Sequence, residues 1–275
     1  MNSCSRDETF DKLSYDDFQS ILLLGEADFS FTRALLRVIK EEETATYRFQ
    51  RNVKITSSEY GDAQDVSQRY FDQNLEYLKD AVKSLCESAS RNNVSLDICF
   101  GLNARSLGKG GLDNKKEQVC MCQRWNEMNQ TFDRQLSPFW NESNEKKYDL
   151  IIFNFPHSDQ AGRATKLVKA LFRQLRICIE HGVLSKHVIL EMRLRYIETN
   201  KQLKKNIRSF YKHEEAAEEY GFEVIGCFDS DLHIWERYGY QHKWTKKNGS
   251  CRDMIQNCNV WRFQSIDIKN RICNT

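Results

Sequence analysis

At 275 residues, 40% of them hydrophobic and 29% charged, the chain has the composition of one soluble-type globular domain with room for a small appendage. No run approaches the roughly 20 apolar residues of a membrane-crossing helix, and the polar stretch from Met1 to Leu13 lacks the apolar core of a secretory signal, so the expectation is a protein that is neither secreted nor membrane-bound. The formal net charge of +2 selects no partner class by itself.

In chain order, residues 1–19 read as an N-terminal extension, 20–266 as the globular domain and 267–275 as a tail. Ile21-Leu22-Leu23-Leu24, ended by Gly25, is a continuous apolar run of the kind that forms a strand buried on both faces. Phe31, Ala34, Leu35, Val38 and Ile39 then recur at helical spacing, with Asp28 and Ser30 as candidate N-caps. Val53–Ser57 is the next strand, followed by a helical pattern through Tyr70, Leu75, Leu78, Val82 and Leu85. Leu96–Phe100 and Asp149–Phe153 are further strands, separated by the polar stretch 108–147, which reads as an insertion or long loop. Val168, Leu171, Phe172, Leu175 and Ile179 mark another helix, His187–Leu190 a fifth strand, and Lys201 to Tyr220 a long charged helix. Phe222–Phe228 and Asn259–Phe263 close the domain as two strands without an obvious helix between them. Alternating strands and helices imply an α/β fold: a mostly parallel, seven-stranded, Rossmann-like sheet with helices on both faces and one antiparallel strand near the C-terminus.

Two compositional features leave alternatives open. Cys86, Cys99, Cys178 and Cys227 lie in apolar periodic segments and read as small buried hydrophobes. Cys120, Cys122, Cys251 and Cys258 admit a four-sulfur zinc site, but without paired C-x-x-C knuckles the reading is no metal. Between Arg163 and Lys212 thirteen basic residues face three acidic ones, a pattern that suits either a solvated helix face or a surface for a polyanion.

In an open parallel sheet, ligands bind beyond the carboxyl ends of the strands. Four such ends carry candidate residues. Gly25-Glu26-Ala27-Asp28-Phe29-Ser30 is a strand-to-helix turn that lets the backbone approach a ligand, although it lacks G-x-G-x-x-G. Glu59 ends the second strand, where an acid can accept both hydroxyls of a ribose; a helix-capping acid is the plainer alternative. Asn103 and Ala104 follow the third strand, where Asn103 suits either an adenine edge or a simple turn. Asn154-Phe155-Pro156-His157 is a stiff corner that presents an amide, an aromatic face and a proton acceptor to a planar nitrogen-containing group.

Taken together, ILLLGEADFSF, the TSSE stretch, GLNARSL and YDLIIFNFPH resemble the ribosomal-RNA uridine-N3 methyltransferase-like family, and Tyr238-Gly239-Tyr240-Gln241-His242-Lys243 is similar to an element near its carboxyl end. The resemblance runs from about Ser20 to Trp244 and is weaker after His157. It implies a Rossmann-like class I methyltransferase fold, S-adenosylmethionine as donor, and ribosomal RNA or a pre-ribosome as partner. It also implies a nucleolar or cytoplasmic location, for a chain expected to be a monomer. Carried over by position, Gly25, Glu26, Ala27, Asp28, Phe29 and Ser30 would line the methionine end of the cofactor, Glu59 the ribose, and Asn103 and Ala104 the adenine. Asn154 and His157 would be catalytic, with Phe155, Pro156, Tyr240 and His242 on the substrate. His157 would accept the uracil N3 proton while Asn154 holds the imide edge of a flipped-out base. Ala27 stands where the family has a second glycine, and Asn103 where it has an aspartate. Other readings remain: transfer to another base, RNA or protein nitrogen, an inactive RNA-binding relative, and a nicotinamide-dependent oxidoreductase.

Overall fold

Alternate side chains of the apolar run Ser20–Leu24 (β1) enter two different layers. Ile21 and Leu23 pack on one side of the sheet, Leu22 and Leu24 on the other, and all four are fully buried. The computed structural model describes residues 18–40, 52–105, 107, 121–136, 148–156, 161–195, 211–229, 232–241, 243–244, 247–250 and 258–267. Among these, β1 is followed by α1 (Ser30–Lys40), β2 (Lys54–Glu59), α2 (Ala63–Tyr70), α3 (Leu75–Arg91) and β3 (Ser95–Phe100). Next come β4 (Met121–Asn126), β5 (Thr131–Leu136), β6 (Tyr148–Asn154), α4 (Ala161–Glu180) and β7 (Leu184–Arg195). The remaining elements are α5 (His213–Glu219), β8 (Phe222–Asp229), α6 (Leu232–Arg237), the small pair β9 (Lys243–Trp244) and β10 (Lys247–Ser250), and β11 (Cys258–Ser265).

Nine strands form one sheet in the order β5-β4-β3-β2-β1-β6-β7-β11-β8. From β3 to β7 neighbouring strands are parallel, and β11 runs antiparallel between β7 and β8, as expected for the C-terminal strand. Phe31, Leu35, Val38 and Ile39 of α1 and Leu78, Val82 and Leu85 of α3 cover one face. Val168, Leu171, Phe172 and Leu175 of α4, with Ala216 and Ala217 of α5, cover the other. The chain proceeds outward from β1 through β2 and β3, then returns to the other side of β1 as β6. That reversal is the topological switch point, where two connections leave in opposite directions and open a crevice at the carboxyl ends.

Three expectations are corrected. The sheet has nine strands, not seven, because residues 121–136 of the polar stretch form a hairpin antiparallel to β3. Its strands, MCQRWN and TFDRQL, are mostly half-exposed, and the turn puts the non-glycine Gln130 at φ 53°, so neither an apolar run nor a turn glycine marks it. A short helix, α6, lies between the two closing strands. β7 extends to Arg195 rather than stopping at Leu190, since Glu191 and Arg193 are buried inside it. Of the long charged helix only the part from 211 onward falls within the described residues.

The cysteine readings divide. Cys86, Cys99 and Cys178 are buried free thiols and Cys227 is half-buried. Cys122 on β4 and Cys258 on β11 lie six strand positions apart, roughly 29 Å at the usual strand spacing. A zinc site built from all four late cysteines is therefore excluded. No helix among the described residues is long and apolar enough to cross a membrane.

Tyr148 anchors β6 to β2 by donating its buried hydroxyl to Thr56 Oγ1 at 2.8 Å. Tyr148→Phe is expected to lower the unfolding free energy by about 1 kcal/mol in urea titrations, without changing the m-value.

Candidate functional site

At the carboxyl end of β1 the register pairs Leu24 with Ser58 on one side and Phe153 on the other. Gly25 is thereby flanked by Glu59 and Asn154. It adopts φ 70°, and a Cβ there would lie 3.1 Å from the Phe153 ring. Glycine is favoured by both conformation and space. The chain continues with one more ladder bond, Glu26 N–H to the Ser58 carbonyl at 3.0 Å, then closes a turn through Phe29 N–H to the Glu26 carbonyl at 2.9 Å. Ala27 and Phe29 take φ 52° and 59°, so both are left-handed here. Accommodating Ala27 costs about 1 kcal/mol relative to glycine.

Three carboxyl groups shape this turn. Glu59 Oε2 accepts from the Ala27 N–H at 2.9 Å, while the Glu59 carbonyl accepts from Leu102 N–H at 3.1 Å. One residue thus ties the ends of β1, β2 and β3 together. Glu26 turns inward: its Oε2 accepts from both the backbone N–H and the hydroxyl of Thr32 at 2.9 Å, at the start of α1. Asp28 accepts from Ser30 N–H at 3.1 Å. Burial pushes the Glu26 carboxyl up to about 8 and raises Glu59 as well, against the opposing effect of their hydrogen bonds. A helix N-terminus otherwise welcomes a ligand phosphate. Here the protein's own carboxyl takes that place, which disfavours a pyrophosphate-bearing nicotinamide cofactor. A cationic group suits Asp28 and ribose hydroxyls suit Glu59 at the end of β2, so these residues fit S-adenosylmethionine.

Asn103 and Ala104 follow Gly101, which has φ 80° and donates its N–H to the Gly61 carbonyl. Asn103 Oδ1 accepts from Arg105 N–H at 2.9 Å, so the turn role expected of it is real and its carbonyl is engaged there.

The corner after β6 is held by Phe155, whose N–H donates to the Arg193 carbonyl at 3.0 Å and whose φ is 50°. Asn154, 6% exposed, accepts through Oδ1 from Arg193 Nη1 at 3.0 Å. Its Nδ2 is buried and has no hydrogen-bond partner. A buried orphan donor of this kind carries a penalty of about 1–3 kcal/mol, removed when a ligand supplies an acceptor. His157 lies outside the described residues, as does His242.

Tyr240 is not at the surface of the crevice. Its ring is buried edge-on against Phe31, 5.4 Å between centroids, and burial near Glu26 raises its hydroxyl well above the usual tyrosine range. The segment around it is fastened to the turn: Ser30 Oγ donates to the Gln241 carbonyl at 2.8 Å, and Arg37 Nη1 to the Tyr238 carbonyl at 3.0 Å. The late motif is therefore folded back onto α1. Arg193, one of the thirteen residues of the basic run, is fully buried rather than part of a solvated or polyanion-facing surface, and nothing in its sequence context distinguished it. Arg163, Lys166, Lys169 and Arg173 of α4 are exposed, and Lys169 pairs with Glu219 at 2.7 Å.

A family model described as "BMT5-like: rRNA (uridine-N3-)-methyltransferase BTM5-like" matches residues 22–243. No curated protein matches the chain. Among solved structures it is similar to the 16S rRNA methyltransferase KamB, at 10% identity and TM-score 0.45, covering 97% of this chain and 96% of that one. It is also similar to a point mutant of the 16S rRNA (adenine(1408)-N(1))-methyltransferase from Catenulisporales acidiphilia, with cosubstrate SAM, at 9% identity and TM-score 0.44, covering 91% and 87%. A SAM dependent methyltransferase from Aquifex aeolicus is similar at 9% identity and TM-score 0.39, covering 90% and 82%.

The raised Glu26 carboxyl has a sign that can be checked. Its folded pKa of about 8 lies above the ordinary 4.5, so its contribution to stability is complete below 4.5 and is lost as pH rises through 8. Glu26→Gln, neutral and of the same shape, should match the wild type in melting temperature at the acid end of that range. Above it the variant should be the more stable by on the order of a few kcal/mol. Melting curves of both proteins across the range, without cofactor, check this.

Proposed function

The chain belongs to the BMT5-like rRNA (uridine-N3-)-methyltransferase family and is an S-adenosylmethionine-dependent rRNA methyltransferase; from that premise we propose that it methylates N3 of a uridine held against the Asn154 corner. The observation that carries the proposal is the buried, unpartnered Nδ2 of Asn154 at the switch point. Uracil N3 sits between two carbonyl oxygens, so its edge offers the acceptor that this donor lacks. An adenine or cytosine amino edge offers a donor at the reacting nitrogen instead.

When bound, the cofactor supplies an electrophilic methyl on a sulfonium. In this proposal Gly25 to Ser30 hold its methionine end, with Asp28 as the carboxyl near its cationic groups and Glu26 bracing the turn from inside through Thr32. Glu59 meets the ribose, and Asn103 and Ala104 border the adenine. Asn154 donates to a uracil carbonyl and fixes the ring's rotation, Phe155 and Pro156 form the wall against which the base packs, and Tyr240 supports Phe31, on which Arg193 rests. His157, next to Pro156 in the chain, accepts the N3 proton, and His242 contacts substrate. The main catalytic effect is placement: a base extruded from the RNA stack is held in one orientation beside the cofactor site.

Nucleoside mass spectrometry of rRNA incubated with protein and S-adenosylmethionine should show N3-methyluridine; methylation confined to adenosine or cytidine would sink the base assignment. Asn154→Ala is expected to reduce kcat by about 100-fold or more while leaving cofactor affinity, read by calorimetry, nearly unchanged. For His157→Ala a fall of about 10²–10⁴-fold is expected, with loss of the acidic limb of the pH–rate profile. An unaltered profile excludes His157 as the base.

A further inference from the structure

Across three neighbouring strands, on the face covered by α1, runs a stripe of polar side chains in an otherwise apolar layer. Asn154 of β6 stands opposite Arg193 of β7, and Glu191, two residues earlier on β7, stands opposite Arg262 of β11. Arg193 Nη1 donates to Asn154 Oδ1 at 3.0 Å and lies 2.8 Å from Glu191 Oε1; Arg262 Nε donates to Glu191 Oε2 at 2.9 Å. Arg193 and Glu191 are both 0% exposed. The guanidinium carbon is 5.1 Å from the Phe31 ring centroid and 5.6 Å from that of Trp235, and those two rings are 4.6 Å apart.

We propose that Arg193 is a positioning residue for methyl transfer, setting the polarity of the Asn154 amide so that its NH2 group faces the acceptor base. An asparagine amide has two nearly isosteric orientations. A guanidinium has donors only, so it captures the carbonyl oxygen and forbids the flipped state, in which two donors would oppose each other. Glu191 and the two aromatic rings keep the guanidinium from following any movement of the amide. Phe31 belongs to the first turn of α1, so the same cation also contacts the helix that leaves the Gly25–Phe29 turn. A buried ion pair is a weak source of stability compared with apolar side chains of similar volume. Placing one beside an unpartnered amide at the switch point assigns it to function rather than to holding the sheet together. In consequence Arg193 favours bases that present a carbonyl there and disfavours those that present an amino group.

The inference rests on the reading that Asn154 holds the base, and the two are separable by a double-mutant cycle on rRNA. Arg193→Lys keeps the charge but not the planar fork. It should lower kcat by about 100-fold, with cofactor Kd and RNA KM changed by no more than about 3-fold. Combined with Asn154→Ala it should be no slower than the slower single variant, because both disable one device. Losses that multiply, a wild-type kcat for Arg193→Lys, or an equal loss of cofactor binding would each overturn the role of Arg193. If Asn154→Ala alone keeps full activity, it is the base-holding reading that falls, and this inference with it. A third variant avoids any folding defect of Arg193→Lys. Asn154→Asp keeps an oxygen on Arg193 and removes the NH2 group, so it should melt at or above Asn154→Ala yet be inactive. An Asn154→Asp protein that melts below Asn154→Ala, or that methylates uridine at the wild-type rate, overturns the proposal.

Discussion

The constraint on which the rest of the site depends is the hydrogen-bond accounting of the turn after β1. A chain that leaves a fully buried strand through three left-handed residues, Gly25, Ala27 and Phe29, takes its backbone N–H groups out of the sheet ladder and must find them other partners. Those groups are answered from the protein itself: Ser58 and Glu59 at the end of β2 take the N–H groups of Glu26 and Ala27, and Glu26 reaches forward to Thr32. The turn is braced by the protein's own groups, and the buried Glu26 carboxyl that braces it occupies the start of α1. A pyrophosphate would meet a helix start already occupied by Glu26.

The second half of the crevice is built on the opposite principle. Around Asn154 one donor is left without a partner, and the charges that orient it are buried in a strand that otherwise packs as apolar as its neighbours. The two halves meet because Gly25 and Asn154 stand on adjacent strands at the switch point, and because Phe31 touches both α1 and the Arg193 guanidinium. Ser30 and Gln241 add a third tie, which brings a segment more than two hundred residues away onto the first turn of α1. The two halves of the crevice are thus mechanically one unit, although they draw on segments far apart in the chain.

Elements whose burial is uniform were legible from residue types. The β1 run, the 3.6-residue stripes of α1 and α4, and the corner at Asn154-Phe155-Pro156 all have local causes, and the structure contains them where the pattern places them. The helical pattern from Tyr70 to Leu85 is instead broken, Tyr70 ending α2 and α3 starting at Leu75, because Asp72 and Gln73 turn left-handed between them. The hairpin β4–β5 was not legible, because an edge hairpin with one solvated face alternates weakly and its turn lacks glycine. The six-residue α6 is too short for helical periodicity to register, and it buries Trp235 against Phe31. The truncated reading of β7 has the clearest physical reason. Glu191 and Arg193 look like surface charges in a basic stretch, and only their pairing across strands makes burial affordable.

By itself, the order of apolar runs, turns and capping residues determined that this chain builds a mostly parallel sheet with helices on both faces. It also determined which four strand ends carry polar chemistry, since these follow from local periodicity and from the backbone limits of glycine and proline. Which of those residues face a ligand was decided by tertiary structure alone. Glu26 turns inward to Thr32, Tyr240 is folded beneath α1, and Arg193 leaves its basic neighbourhood to aim the Asn154 amide. The reason is that the role of a polar side chain is set by the partner it finds across the sheet, and strand neighbours such as β6, β7 and β11 are far apart in sequence.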